Sequence, residues 1–193
     1  MSAIVLVDTS VLLNVLDVPG RNQNRDAVLD ELGARVESAD HLFIPMAAII
    51  EVGNHIAHMA GDGRVRRHAA ERFVRLVRDA LNGQAPWKPM NFPSHAHLLE
   101  WLADFPDCAM RQVGMGDLSI QKEWALLCRQ YPMTRVRVWT LDGDLAGLDS
   151  HPPSLTTVVI CRPCRTCITG TPRTKPHHRL SKTRAKKVSC LRN

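Results

Sequence analysis

Long apolar runs are missing from this sequence of 193 residues. No stretch reaches the roughly 18 apolar residues that a membrane-spanning helix needs, and the N-terminus lacks the basic start, apolar segment and small-residue cleavage site of a secretory signal. The absence of both segments predicts a cytoplasmic protein without a membrane partner, in which the six cysteines are expected to be thiols. No internal repeat is visible either.

Acidic residues are absent from the last part of the chain. Residues 161–193 contain ten of the 25 Lys and Arg residues and none of the 19 Asp and Glu residues. Residues 1–160 therefore carry 15 basic against 19 acidic side chains, and the formal net charge of +6 comes from the tail. The basic composition alone consequently does not predict that the body of the protein binds nucleic acid.

Short β-branched apolar runs alternate with stretches of helical spacing along residues 1–160. Strands are predicted at 3–7, 41–44, 87–90, 135–142 and 155–160. Helices are predicted to start near residues 11, 21, 46, 64, 95 and 117, the fifth ending near residue 104. This alternation predicts an α/β fold with a mostly parallel central sheet flanked by helices in three layers, and such sheets bind ligands outside the carboxyl ends of their strands.

Acidic residues follow two of the predicted strands directly. Asp8 comes after the first strand and Asp142 ends the fourth, so parallel strands would place both at the carboxyl edge of the sheet. Asp117 is predicted to cap a helix, and the helices of right-handed βα units start at that edge. Glu51 lies ~9 Å along the helix after the second strand, close enough for its side chain to reach back, and Asp144 shares the loop of Asp142.

Converging carboxylates repel one another, by on the order of 4 kcal/mol for two unit charges ~4 Å apart at an effective dielectric constant of about 20. No Lys or Arg is adjacent in sequence to any of these acids. Ligation by oxygen alone favours Mg²⁺ or Mn²⁺, and hydrolysis of a phosphodiester is the reaction that such ions assist. The alternative for each acid taken singly is a helix cap or a surface residue, and Asp8 would cap a helix that starts at Val11.

Four segments around these acids resemble, in order and spacing, the motifs of the PIN-domain ribonuclease family. They are VLVDTSVLL, IPMAAIIEVGNHI, MGDLSIQKEWALL and VWTLDGDL. The resemblance covers about residues 3–160 and is closest to the VapC-type toxins of toxin–antitoxin pairs. It implies a PIN-like three-layer sandwich and a metal-dependent endoribonuclease that hydrolyses RNA phosphodiester bonds.

The resemblance also implies roles for particular residues. The catalytic, metal-binding acids would be Asp8, Glu51, Asp117 and Asp142, with Asp144 as a further metal ligand and Thr9, Ser10 and Thr140 as supporting residues. The implied cofactor is Mg²⁺ or Mn²⁺. The implied partners are RNA, a cognate antitoxin protein and a second copy of the chain in a homodimer. Leu13 and Leu16 are candidates for such an interface, and the alternative is that they are core residues.

The chain departs from the family pattern in three places. The small residues that usually follow the third acid are replaced by Gln121, Lys122, Glu123 and Trp124, a change that concerns helix packing rather than metal binding. The body is somewhat longer than the shortest toxins, with the excess placed in residues 61–95. The tail has no family counterpart.

Other functions stay open at this point. TLDGDL resembles the phosphatase signature DxDGTL of the haloacid dehalogenase superfamily, but Thr140 stands where that nucleophilic Asp is needed. A catalytically silent PIN-like module that binds RNA or protein is a second function, and loss of an acid would mark it. A third is an RNA-binding protein that acts through its tail. No HExxH motif is present, which argues against zinc-dependent hydrolysis.

Arginines early in the fourth predicted helix are candidates for contacts with RNA phosphates. Arg64, Arg66 and Arg67 follow the helix of the second acid closely, and the alternative is an ordinary solvated face. His55 and His58 lie on one stripe with that acid, and the same alternative applies to them. An acidic centre cannot attract RNA unaided, so the hypothesis of a nuclease requires a basic rim.

Residues 161–193 form a basic tail rich in Cys, Pro and Thr, and we place the domain boundary after residue 160. CRPCRTC, with His177, His178 and Cys190 beyond it, offers ligands for zinc, but almost no apolar residues are present to build a folded unit around them. The composition favours disorder. A shifted reading frame is a further explanation of the abrupt change in composition.

Overall fold

The first strand of the chain lies in the centre of the sheet. The computed structural model describes residues 2–152, which belong to a unit spanning Met1–Ser154. The strands are β1 (Ile4–Val7), β2 (His41–Ile44), β3 (Trp87–Pro89), β4 (Val136–Trp139) and β5 (Asp149–Ser150). The helices are α1 (Thr9–Val15), α2 (Arg25–Glu37), α3 (Met46–His58), α4 (Gly63–Leu81), α5 (His95–Met110) and α6 (Met115–Gln130).

The sheet has the strand order β3-β2-β1-β4-β5. The pairs β1–β2, β1–β4 and β2–β3 are parallel, and of the strands within residues 2–152 only the short β5 runs antiparallel to its neighbour. The chain first adds strands on one side of β1 and then crosses to the other side, which creates a topological switch point between β1 and β4. Asp8 and Thr140 directly follow these two strands, so both lie at this point.

Helices cover both faces of the sheet because β1 is apolar on both sides. Val5 and Val7 pack in one cluster with buried residues of α1, α3 and α4. Ile4 and Leu6 belong to a second cluster, together with Ile120 of α6. This alternation follows the period of two residues in a strand and confirms the predicted α/β architecture with a mostly parallel sheet.

Several ends of strands and helices differ from the prediction. α1 begins at Thr9 instead of near residue 11, and α2 begins at Arg25 instead of near residue 21. β4 ends at Trp139, so Asp142 lies three residues beyond the strand instead of ending it.

α5 continues through Pro106 to Met110, six residues beyond the predicted end, and water can replace the missing intrahelical donor because Pro106 is exposed. α6 begins at Met115 with Gly114 as its N-cap. The prediction that Asp117 caps this helix is therefore wrong, and Asp117 is a residue of the first turn of α6.

Leu13 and Leu16 are core residues, each with 4% of its surface exposed, so neither is free to form an interface.

Strand β5 was not predicted, because two residues give no periodic signal. The predicted strand 155–160, the domain boundary after residue 160 and the cysteine-rich tail lie outside the described residues. Among residues 2–152, no helix has both the length and the apolar character needed to cross a membrane.

The central position of β1 predicts a large effect of one core substitution. Leu6 is fully buried, so Leu6→Ala is expected to lower the free energy of unfolding by about 2–5 kcal/mol. Leu81, with 71% of its surface exposed, is the matched control, and Leu81→Ala is expected to change that energy by less than about 0.5 kcal/mol. Denaturant titration of both variants measures the difference. Equal losses would contradict the described sheet.

Candidate metal centre

Asp8 links the first strand, the first helix and the loop after β4. Its Oδ2 accepts hydrogen bonds from Ser10 N at 3.3 Å, Ser10 Oγ at 2.7 Å and Thr140 Oγ1 at 2.8 Å, and the side chain is the N-cap of α1. Asp8 is buried, with 5% exposed surface. Its Oδ1 takes part in no hydrogen bond within residues 2–152, which leaves that oxygen for a ligand. Asp8 therefore caps α1 and also lies in the candidate metal centre.

The loop after β4 is fastened to α1 through the same hydroxyl groups. Leu141 N donates to Ser10 Oγ at 2.9 Å, and Asp142 N donates to Thr140 Oγ1, also at 2.9 Å. Each hydroxyl thus donates its one proton to Asp8 and accepts one hydrogen bond from the backbone. Asp144 N approaches Asp142 Oδ1 at 3.4 Å, so the two exposed acids of this loop are neighbours.

Glu51 is held between α1 and α6. Thr9 Oγ1 donates to Glu51 Oε2 at 2.7 Å, and this is a contact between residues 42 positions apart in the chain. A methyl group added at Gly116 would lie 3.7 Å from the same oxygen, so the first turn of α6 runs close to the glutamate. Glu51 is in the second turn of α3 and still reaches back to the edge of the sheet, as its position in the sequence predicted.

Asp117 lies within the electrostatic influence of the other acids. Burial raises the pKa of its carboxyl group, and the charges of Glu51, Asp8, Asp142 and Asp144 raise that pKa further. Each carboxylate that approaches Asp117 makes its ionised form less favourable. Four predicted acids from three other segments of the chain therefore lie close enough to Asp117 for their charges to act on its carboxyl group.

The donor type and the charge of this cluster suit a hard divalent cation. Mg²⁺ and Mn²⁺ prefer carboxylate oxygen, and a cation would relieve the repulsion that Asp117 experiences. Within the described residues, however, no group of three or more His, Cys, Asp or Glu side chains stands arranged to hold a metal ion. The argument that the acids suit a divalent cation consequently rests on their donor chemistry and charge. It does not rest on side chains that already surround a metal position.

Comparisons with protein-family models and with curated proteins do not identify a family for this chain. Neither the protein-family models nor the curated proteins give a match to the chain.

The three arginines expected to contact RNA are not brought to the acids. Arg64, Arg66 and Arg67 lie at the start of α4, beyond the far end of α3 from the acidic edge. Arg66 Nη1 donates to Gly61 O at 2.6 Å, and Arg67 Nε donates to Glu71 Oε1 at 3.0 Å. Two of the three are thus engaged locally, and a role in RNA binding stays a prediction for all three.

The histidines of α3 also lie away from the acids. His55 and His58 line a separate groove with Pro19 and Gly20. His58 Nδ1 donates to Asn54 O at 2.8 Å, one turn earlier in the same helix. This placement agrees with a surface position and gives neither ring a contact with the carboxylates.

Glu123 is a residue whose importance the sequence did not predict. It is 6% exposed, and its Oε2 is buried without a hydrogen-bond partner among the described residues. Burial raises the pKa of this carboxyl group from 4.5 to about 7. The one available signal was its place in the helix after Asp117, where the resembled family has small residues.

Divalent cations are expected to stabilise the protein through these acids. Asp117→Asn removes repulsion, so this variant should unfold at a higher temperature than the wild type in buffer without divalent ions. Millimolar Mn²⁺ should raise the unfolding temperature of the wild type and do so much less in the variant, because a ligand bound only to the folded state stabilises it. Thermal unfolding of the full chain measures both effects.

The exposed Asp30 on α2 supplies the control for this experiment. Asp30→Asn should unfold like the wild type with and without Mn²⁺. An equal response to Mn²⁺ in all three proteins would contradict a cation site at Asp117.

Glu123 is expected to make stability depend on pH. Its folded pKa is raised, so the protonated form is favoured in the folded state, and stability is lost as pH rises from 4.5 to about 7. The shift corresponds to about 3 kcal/mol. Glu123→Gln removes this loss, so its advantage in unfolding free energy over the wild type should be small at pH 4.5 and largest above pH 7. Denaturant titrations across this range test the expectation, and an advantage that does not change with pH would refute it.

Proposed function

We propose that this chain is a metal-dependent endoribonuclease with a PIN-like fold that hydrolyses RNA phosphodiester bonds. The observation that carries the proposal is the set of hydrogen bonds that ties Asp8 to Ser10 and Thr140, and Glu51 to Thr9, at the switch point of a mostly parallel sheet. The charges of Asp8, Glu51, Asp142 and Asp144 also raise the pKa of Asp117. So many like charges at one edge reduce stability unless they serve a cation. Each of them lies in a segment that resembles a PIN-domain motif.

The roles of the residues in the proposed reaction follow from their hydrogen bonds. Hydroxyl groups hold one oxygen of Asp8 and one oxygen of Glu51, and the second oxygen of each takes part in no hydrogen bond among residues 2–152. Asp117 and Asp142 complete the acidic surface from α6 and from the loop after β4. When bound, Mg²⁺ or Mn²⁺ would polarise a phosphoryl oxygen and neutralise the charge that develops on it. Thr9, Ser10 and Thr140 keep the acids in place while the substrate binds.

The biological role that we propose is that of the toxin in a toxin–antitoxin pair. This part of the proposal rests on the resemblance to VapC-type proteins, and it includes a cognate antitoxin and a homodimer as partners. A small neighbouring gene that encodes a DNA-binding protein would support it. A gene that stands alone would favour a role in RNA processing instead.

A catalytically silent PIN-like module that binds RNA or protein is the second candidate function. It is favoured by one observation, that the described side chains do not form a closed ligand set for a metal ion. Against it, none of the four acids is replaced in the sequence. The two functions differ in whether RNA is cut or only bound.

Cleavage of RNA by the purified full chain tests the proposal. We expect cleavage to require Mn²⁺ or Mg²⁺ and to fall by more than about a hundredfold in Asp8→Asn and in Asp117→Asn, since the ion stabilises the transition state by several kcal/mol. Asp30→Asn should cut as fast as the wild type. RNA binding measured on the same proteins separates the two functions.

Binding without cleavage under any divalent ion would favour the silent module. Cleavage that persists unchanged in both acid variants would show that the carboxylates are not the catalytic centre.

A further inference from the structure

A cavity of about 420 Å³ opens beside the acids, between α3, α5 and α6. Its walls are mainly apolar and include Met46, Leu98, Trp101 and Met115. Specific ligand sites in proteins have volumes of roughly 300–1,000 Å³ and combine apolar walls with a few polar groups.

One ionisable group is buried in the wall of this cavity. Glu123 lines the cavity, is 6% exposed and has no hydrogen-bond partner for its Oε2 within the described chain. The nearby amine of Lys122 bonds instead to Asp104 and Glu100 of α5. A buried carboxyl group without a partner reduces stability, so its presence calls for a ligand that pairs with it. The terminal torsion of a glutamate is broad, so either oxygen can turn into the cavity.

The cavity adjoins the proposed catalytic acids directly. Glu51 and Gly116 belong to its lining, and both also border the acidic centre. An occupant of the cavity therefore lies next to any phosphate bound at the acids. In a single-stranded RNA, the group that lies next to a phosphate and can enter a cavity is the nucleobase of an adjacent nucleotide.

We propose that this cavity binds a guanine base of the substrate RNA, with the Glu123 carboxylate accepting hydrogen bonds from the guanine N1–H and N2–H groups. The inference rests on the proposed ribonuclease function and deepens it by naming a substrate preference. Single-stranded RNA is read in this way, through bases turned out of the stack and bonded along their Watson–Crick edges.

Guanine fits the site for two reasons. Its Watson–Crick edge has two adjacent N–H donors, whereas adenine and cytosine present a donor beside an acceptor and uracil has a single donor flanked by carbonyls. An ionised carboxylate accepts only, and its two oxygens match the guanine pair. Trp101 in the wall and Phe92 at the exposed rim offer aromatic faces for the base to stack on.

The test measures binding of nucleosides to the full chain without divalent ions, so that it does not depend on cleavage. The readout is the indole N–H signal of Trp101 in a two-dimensional NMR titration at pH 8. Guanosine should shift this signal in a saturable way. Inosine, which lacks only the N2 amino group, should bind about tenfold more weakly, as expected for one hydrogen bond to a charged group, and adenosine more weakly still.

Three variants make the test specific to the cavity. Glu123→Gln should bind guanosine and inosine about equally, while Glu37→Gln at the exposed end of α2 should retain the wild-type preference. Ala47→Phe, which fills the cavity from α3, should abolish the shift for every nucleoside. Thermal unfolding of each variant shows that it is folded.

No saturable shift with guanosine in the wild type, or an unchanged preference in Glu123→Gln, would overturn the proposal. Failure of this inference and failure of the proposed function are distinguishable. RNA cleavage without guanosine binding would contradict the guanine site and leave the proposed nuclease function standing. Guanosine binding without RNA cleavage would support the guanine site and contradict the nuclease function.

Discussion

The hydrogen bonds to one buried oxygen, Asp8 Oδ2, hold the candidate centre together. Through Ser10 they fix the first turn of α1, and through Thr140 they fix the loop that follows β4. These partners can meet because β1 and β4 are parallel neighbours whose carboxyl ends share an edge. A helix cap and a ligand residue are usually alternative explanations for such an aspartate. Here one oxygen serves the fold and the other takes part in no hydrogen bond within the described residues, so the cap does not exclude the proposed role as a ligand.

The cluster of acids opposes the stability that this network provides. Asp117 lies half-buried among four other carboxylates, and Glu123, six residues later on α6, is buried in an apolar wall. Both carboxyl groups have raised pKa values, so α6 carries two side chains that the folded state accommodates poorly when ionised. Strain of this kind is concentrated at functional sites. A cation at the first group and a base at the second would each convert a source of instability into binding energy.

Much of the acidic edge could be predicted from the sequence because it depends on local rules. Strands with continuous apolar runs are buried and parallel, and residues such as Asp8 that follow them lie at the carboxyl edge. The reach of Glu51 followed from the rise of a helix. These predictions needed only the order of the elements, not their packing. The finer statement that the fold is PIN-like stays part of the proposal.

Features that depend on packing between distant segments could not be predicted. The length of α5 was missed because a proline usually ends a helix. α5 continues through Pro106, whose exposed position depends on how the helix packs in the folded protein and cannot be inferred from local sequence. The burial of Glu123 requires α5, with Trp101, to pack beside α6, and no local pattern encodes this. The arginines of α4 were placed near the acids by their closeness in sequence, but α3 separates them from the acidic edge. Sequence distance is a poor guide whenever a whole helix intervenes.

The most direct test of the account is anomalous diffraction from crystals of the protein soaked in Mn²⁺. The account predicts a manganese peak between Asp8 and Asp117, with Glu51 or Asp142 among its ligands, and no peak there in crystals of Asp8→Asn. A wild-type map without manganese at this edge, under conditions where the ion binds elsewhere or not at all, would contradict the central claim. Asp8 would then be the cap of α1 and nothing more.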